Sequence, residues 1–178
     1  IGGMHMSAIA QVLLSAGVRV SGSDLQDTAL TRRLAALGAT VHRGHAAAYL
    51  GDAELVVVTA AVKPDNPEVM AARRRGIPVI SRAEMVARLT AGRTTIAVAG
   101  THGKTTTSSL IAFLLARAGR APGYLLGGES LDLGGNAASG SGPEMVVEAD
   151  EYARAFLAYR PWLAVVTNIE PDHLDYYG

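Results

Sequence analysis

Apolar residues recur at helical spacing from Met6 to Ala16, with Ile9, Val12, Leu13 and Ala16 on one side. Gly17 follows as a helix stop. Val18-Arg19-Val20-Ser21 then predicts a short strand. Thr28 to Leu37 reads as a helix ended by Gly38, and Thr40-Val41-His42 as a weaker strand. Leu55 to Thr59 is apolar on both faces, the mark of a buried parallel strand. Asn66 to Arg75 predicts a helix with Pro67 near its start, where a missing N–H costs nothing. Pro78-Val79-Ile80 and Arg82 to Leu89 add a further strand and helix. Such alternation specifies a parallel sheet flanked by helices, the α/β class.

A glycine-containing break, Ala91-Gly92-Arg93, divides the pattern into units of residues 1–91 and 92–178. The second opens on an apolar run, Ile96 to Ala99, then a glycine turn and a helical stretch from Ser108 to Arg117. Gly119 to Pro122 ends that helix, and residues 123–144, rich in Gly, Ser and Asn, read as loops. Met145 to Glu148 and Leu163 to Thr167 predict two more strands. Two strands after the helix are fewer than a parallel sheet needs to bury its core. The expectation is therefore the N-terminal portion of a longer enzyme, with residues also missing before Ile1.

The turn itself, Gly100-Thr101-His102-Gly103-Lys104-Thr105-Thr106, carries the sharpest chemistry. Between a strand and a helix, its backbone N–H groups cradle phosphate oxygens. Lys104 reaches the outer phosphates and Thr105 offers a hydroxyl to magnesium. The usual first glycine of this motif is replaced by Val98, with Gly100 coming later. A glycine turn with a solvated lysine is the competing interpretation, and the flanking strand and helix weigh against it. The chain is expected to bind a nucleoside triphosphate.

Gly2 and Gly3 also precede a helix, and Asp24 follows Gly2 by 22 positions. That spacing resembles the acid that bonds a ribose hydroxyl in dinucleotide-binding folds. The full glycine fingerprint is absent, so a tight turn without a ligand fits equally well. Ser21-Gly22-Ser23-Asp24 also fits an ordinary turn capped by Ser23 or Asp24.

Glu148-Ala149-Asp150-Glu151 stands at the end of a predicted strand, on the edge where open α/β sheets bind ligands. Magnesium takes one or two carboxylates together with phosphates and waters, so a metal beside a triphosphate accounts for these acids. A solvated acidic loop is the plainer alternative. His173, in Asn168 to Asp175, should emerge on the same edge and ligate a metal or bond a phosphate.

Composition narrows the field. Among 178 residues, 49% are hydrophobic and 18% charged, which fits a core-forming chain rather than a disordered one. Sixteen basic and sixteen acidic residues cancel, which gives no support for a nucleic-acid or anionic-membrane surface. No cysteine is present, which excludes disulfides and thiolate metal sites and fits a cytoplasmic enzyme.

Taken in order, Gly100 to Thr107, Glu148 to Tyr152 and Thr167 to Asp175 resemble the ATP-dependent Mur ligases. Gly2 to Ser7 with Ser21 to Asp24 points to the member that adds L-alanine to UDP-N-acetylmuramate in peptidoglycan precursor synthesis. The resemblance implies a Rossmann-like N-terminal domain for the UDP-sugar and a phosphate-loop α/β central domain for ATP and Mg2+, here incomplete. It also implies a C-terminal domain of the same chain that brings the amino acid, so this chain alone is not a complete catalyst. The reaction the resemblance implies is attack of the muramate carboxylate on the γ-phosphate to give an acyl phosphate, from which the L-alanine amine would displace phosphate. By motif, Gly100, Thr101, His102, Gly103, Lys104, Thr105 and Thr106 bind ATP. Lys104, Glu148 and His173 are the catalytic set, with Thr105, Glu148 and His173 as metal ligands. Gly2, Gly3, Ser23, Asp24, Asn136 and Arg154 are the substrate contacts, Asn136 on a Gly134-Gly135-Asn136-Ala137 loop. His5, Ala153 and Ala155 depart from the family pattern, which bears on the diphosphate turn and on contacts near Arg154. A murein tripeptide ligase shares these motifs. A phosphate-loop ATPase module would not need the first unit, and a nicotinamide oxidoreductase conflicts with the phosphate loop.

Overall fold

The structure, a computed structural model, describes residues 1–172 and 174–177. It divides into two compact units, Ile1–Met85 and Val86–Gly178. The division falls within helix α4, Arg82–Thr90, shortly before the Ala91–Arg93 segment.

In the first unit α1, Met4–Ser15, packs against α2, Ala29–Ala36. Thr28 caps α2 reciprocally: its hydroxyl accepts from Thr31 N–H at 3.3 Å, while its own N–H donates to Thr31 Oγ1 at 2.8 Å. A cap of this kind is worth about 1 kcal/mol. Leu34 of α2 is fully buried and forms a core with Ala10 and Ala39, flanked by Leu14, Val20 and Val41.

Strand β1 is Ser21–Asp24, not the apolar Val18–Ser21 stretch. Gly17, at φ +77°, turns the chain at the end of α1, and Val18 N–H closes back on Leu13 O at 3.0 Å. Val18 is thereby drawn into the helix stop, and the ladder begins only at Val20 O, which accepts from Thr40 N–H at 3.0 Å. Strand β1 pairs in parallel with β2, Thr40–Arg43, so Ser23 and Asp24 lie at the strand's C-terminal end.

A second parallel pair joins β3, Val56–Val58, to β4, Val79–Ser81. The three valines of β3 are half-buried rather than enclosed on both faces. Between the strands runs α3, Pro67–Arg74, where Asn66 Oδ1 accepts from Glu68 and Val69 N–H at 2.9 and 3.3 Å. Leu50, Ala71 and Ala72 form the local core with Val56, Ile77 and Val79.

The second unit holds a five-stranded sheet in the order β7-β6-β8-β5-β9. Its strands are β5, Thr94–Ala99, β6, Gly123–Ser130, β7, Gly135–Ala138, β8, Glu144–Glu148, and β9, Leu163–Val166. All pairings are parallel except the β6–β7 hairpin. The expectation of loops over 123–144, and of only two strands after the helix, is thus corrected. Tyr124, Leu125 and Leu126 are buried on β6, and the surrounding glycines serve close approach. A Cβ at Gly123 would lie 2.6 Å from both Met145 Sδ and Ser139 O. Helix α5, Lys104–Arg117, packs on β5, β6 and β8, burying Ala112 against Ile96, Tyr124, Leu126 and Val146. Full burial of a Leu or Val side chain contributes roughly 1.5–3 kcal/mol. No helix among the described residues is long and apolar enough to cross a membrane.

Candidate active site

β5 ends at Ala99, and α5 begins at Lys104. Gly100 has φ +131° and Gly103 φ +79°, both left-handed values that favour glycine. A Cβ at Gly100 would collide with Thr167 Oγ1 and lie 3.0 Å from Asn168 N and O. The turn therefore exists because a neighbouring segment presses against it.

That segment is the stretch after β9. Asn168 grips the His102 peptide unit with both ends of its amide: Oδ1 accepts from His102 N–H at 2.9 Å, and Nδ2 donates to His102 O at 3.0 Å. Thr167 Oγ1 lies 2.6 Å from His102 O and 3.2 Å from Ala99 O. Glu170 N–H donates to Thr101 Oγ1 at 3.0 Å.

Lys104 folds back over the turn. Its Nζ donates to Gly100 O at 2.6 Å and meets both oxygens of Glu151, at 2.9 and 3.1 Å. The side chains of this pair are 17% and 22% exposed. At the next residue, Thr105 Oγ1 donates to Glu148 Oε2 at 3.2 Å. Glu148 is 8% exposed, so its charge must be met locally. Gly127 N–H donates to Oε1 at 2.6 Å, and Ser108 Oγ lies 3.3 Å from the same oxygen. A Cβ at Gly127 would stand 2.6 Å from Glu148 Oε2, so glycine at this position of β6 lets the carboxylate approach.

The structure thus brings Gly100, Thr101, His102, Gly103, Lys104, Thr105 and Glu148 together, with Thr106 exposed on the first turn of α5. A hydroxyl and a carboxylate 3.2 Å apart at a helix N-terminus suit a hard cation that takes its remaining ligands from phosphate and water. Among the described residues no cluster of three or more His, Asp or Glu is placed to hold a metal. His173 lies outside the described residues. Asn136 is fully buried on β7, not on a loop. Arg154 is exposed, with φ +56°.

In the first unit Gly2 N–H donates to Asp24 Oδ2 at 2.8 Å, and Gln26 N–H to Asp24 Oδ1 at 3.0 Å. Burial raises the Asp24 pKa, but these two amides and the amino terminus outweigh it and hold the carboxyl below its ordinary value. Gly3 caps α1 and His5 sits in its first turn. Ser23 meets two residues the sequence reading did not single out, His45 and Glu68. Ser108, Gly127 and Glu151 were likewise unassigned. Only Glu151 carried a signal, its place in the acidic run after β8.

Comparison with known proteins decides the family. Residues 1–94 match the family model for the Mur ligase family, catalytic domain, and residues 98–178 match that for the Mur ligase middle domain. The chain belongs to the Mur ligase family. It is 56% identical over 178 residues to the UDP-N-acetylmuramate–L-alanine ligase of Methylobacillus flagellatus, covering 100% of this chain and 38% of that protein. Among solved structures, the UDP-N-acetylmuramate-alanine ligase MurC of Thermotoga maritima superposes with a TM-score of 0.91 at 37% identity, over 100% of this chain and 42% of that one. The UDP-N-acetylmuramate:L-alanyl-gamma-D-glutamyl-meso-diaminopimelate ligase of Neisseria meningitides gives the same TM-score, 0.91, at 35% identity, over 100% and 61%. This Mur ligase chain spans about 38% of the length of the curated relatives it matches.

Proposed function

We propose that this chain supplies the sugar-nucleotide and ATP sites of a cytoplasmic amide ligase joining L-alanine to UDP-N-acetylmuramate. The observation that carries the reading is the meeting of Lys104, Thr105 and Glu148 at the start of α5, beside the C-terminal ends of β5 and β8. Residues 92–178 form the ATP domain in this reading. Residues 1–91 form the UDP-sugar domain, with Gly2, Gly3, Ser23 and Asp24 as contacts and Asn136 and Arg154 completing the substrate set.

A muramate carboxylate oxygen bonds to the γ-phosphorus as the bond to the bridging oxygen breaks and ADP leaves. The L-alanine nitrogen then bonds to the acyl carbon, phosphate departs with the C–O electron pair, and the amine gives up a proton. Charge on the moving phosphoryl group is the main obstacle, and Lys104 lies where it can neutralise it. To do so Lys104 must exchange Glu151 for phosphate oxygens. Thr105 and Glu148, with His173 as a further ligand, would hold magnesium, which would supply additional positive charge there.

The equal superposition on the Neisseria meningitides enzyme supports a second reading, in which the incoming amine belongs to a tripeptide. The full-length protein, given UDP-N-acetylmuramate, ATP and Mg2+ with either L-alanine or the tripeptide, separates the two by product mass. The L-alanyl product is expected. A tripeptide product alone would favour the second reading, and ATP hydrolysis without either product would leave a phosphate-loop ATPase.

A further inference from the structure

The acidic run at the end of β8 holds three carboxylates, and the structure puts each to a different use. Glu148 faces Thr105 and Gly127. Asp150 Oδ1 accepts from Tyr152 N–H at 3.1 Å and so caps its own turn. Glu151 reaches across to Lys104, with its two oxygens 3.1 and 2.9 Å from Nζ. Its backbone is fixed from two sides: Glu151 O accepts from Tyr177 Oη at 2.6 Å and from Arg154 N–H at 2.9 Å. The carboxylate is therefore presented to Lys104 from a turn held in place.

A lysine ammonium has three N–H donors. On Lys104 they are taken up by Gly100 O at 2.6 Å, Thr101 O at 3.2 Å and the Glu151 carboxylate. An incoming phosphate oxygen must displace one of the three. The two carbonyls are neutral and belong to the turn. Glu151 is the partner that carries charge, and it is the one on a side chain that can swing away. While the pair is closed, that carboxylate also repels a phosphate near Nζ. Phosphate and Glu151 thus exclude each other at Lys104.

We propose that Glu151 is a built-in competitor of the nucleotide's phosphates, an autoinhibitory latch that closes on Lys104 in the empty site, lowers ATP affinity and recaptures Lys104 as ADP leaves. The proposal rests on the ATP reading of this unit. Only the fraction of molecules with Lys104 free can seat the outer phosphates, and the apparent dissociation constant rises in inverse proportion to that fraction. A sheltered charge-assisted pair of this kind reduces the free fraction to about a tenth or less. After phosphoryl transfer only a diphosphate is left to hold Nζ, and Glu151 competes with it more effectively than with the triphosphate.

Calorimetry on the full-length protein with Mg2+ and either ADP or a β,γ-imido ATP analogue tests it. Glu151→Gln keeps the size of the side chain and removes its charge. It should tighten both nucleotides by about tenfold while its melting temperature stays near wild type. Dissociation of a fluorescent ADP analogue should slow by a similar factor. Asp150→Asn keeps the cap on Tyr152 and removes a neighbouring charge, so it separates the latch from a general change in the field. Its affinities should stay within about threefold of wild type. Glu151→Ala gives the same readout should Glu151→Gln fold poorly. Unchanged or weaker nucleotide binding in both Glu151 variants overturns the proposal, as does an equal gain in Asp150→Asn. Failure of the wild type to bind either nucleotide overturns the ATP reading itself, and the latch with it.

Discussion

Two glycine turns open two helices in this chain, and they are built differently. The turn before α1 is held by one acid, Asp24, which takes the Gly2 N–H at 2.8 Å. The turn before α5 is braced from outside: Asn168 and Thr167 hold the His102 peptide unit, and Lys104 lies over Gly100 O. In the first turn an anionic acceptor for the backbone N–H is built into the fold. In the second the carbonyls are tied down, and the cation, hydroxyl and buried acid gather at the helix start. A glycine turn before a helix thus yields, in one case, a turn stabilised by a carboxylate and, in the other, a turn with a lysine, a hydroxyl and a buried acid at the helix start.

The largest break in this comparison is expected at Lys104. Lys104→Ala should lower kcat of the full-length enzyme by roughly 10²-fold or more, because phosphoryl charge is then unmet. The same variant should leave UDP binding within about twofold of wild type, since that site stands in the other unit. Calorimetry and steady-state kinetics read both.

Glu148 comes next. Glu148→Gln should raise the magnesium concentration needed for half-maximal rate by about tenfold. Gly127→Ala should push in the same direction more weakly, because its Cβ would stand 2.6 Å from Glu148 Oε2. A magnesium titration unchanged in both would remove Glu148 from the metal site.

Asn168→Ala sharpens the contrast in bracing. It leaves the His102 N–H and C=O without their side-chain partner. KM for ATP should rise several-fold, roughly the effect of one or two hydrogen bonds, with KM for the sugar nucleotide unchanged. Asn168→Asp, which keeps the acceptor and loses the donor, should fall between.

The smallest effect concerns Asp24. Its pKa is held below the ordinary 3.8, so folding favours the charged form. Its contribution is present in full above the unfolded value and is lost as pH falls through the lower folded value. Asp24→Asn should flatten that acid limb of the stability curve, measured by urea unfolding between about pH 5 and 2.

Local signals made the strand, glycine turn and helix around Gly100–Thr106 legible. Gly103-Lys104-Thr105 with an apolar strand before it needs no distant partner to be read. Asn66-Pro67 announced α3 for the same reason, and the Asn66 cap is present. Glu148 was legible from its place at a strand end. β6 and β7 were not, because glycines that permit close approach to Met145 and Glu148 look like loop composition. β1 was displaced because Val18 closes the α1 stop instead of starting the strand. The Ser23–His45–Glu68 cluster could not be read at all: His45 and Glu68 stand 22 and 45 positions from Ser23, and only the tertiary fold of the unit brings the three together.

A crystal structure of the full-length protein with a non-hydrolysable ATP analogue, Mg2+ and UDP-N-acetylmuramate tests the division of labour most directly. The account predicts the triphosphate on Gly100 to Thr106, the ion on Thr105 and Glu148, and Lys104 moved from Glu151 to phosphate oxygens. A triphosphate on the Gly2–Gly3 turn, or an ion away from Glu148 with Lys104 still paired to Glu151, would contradict it.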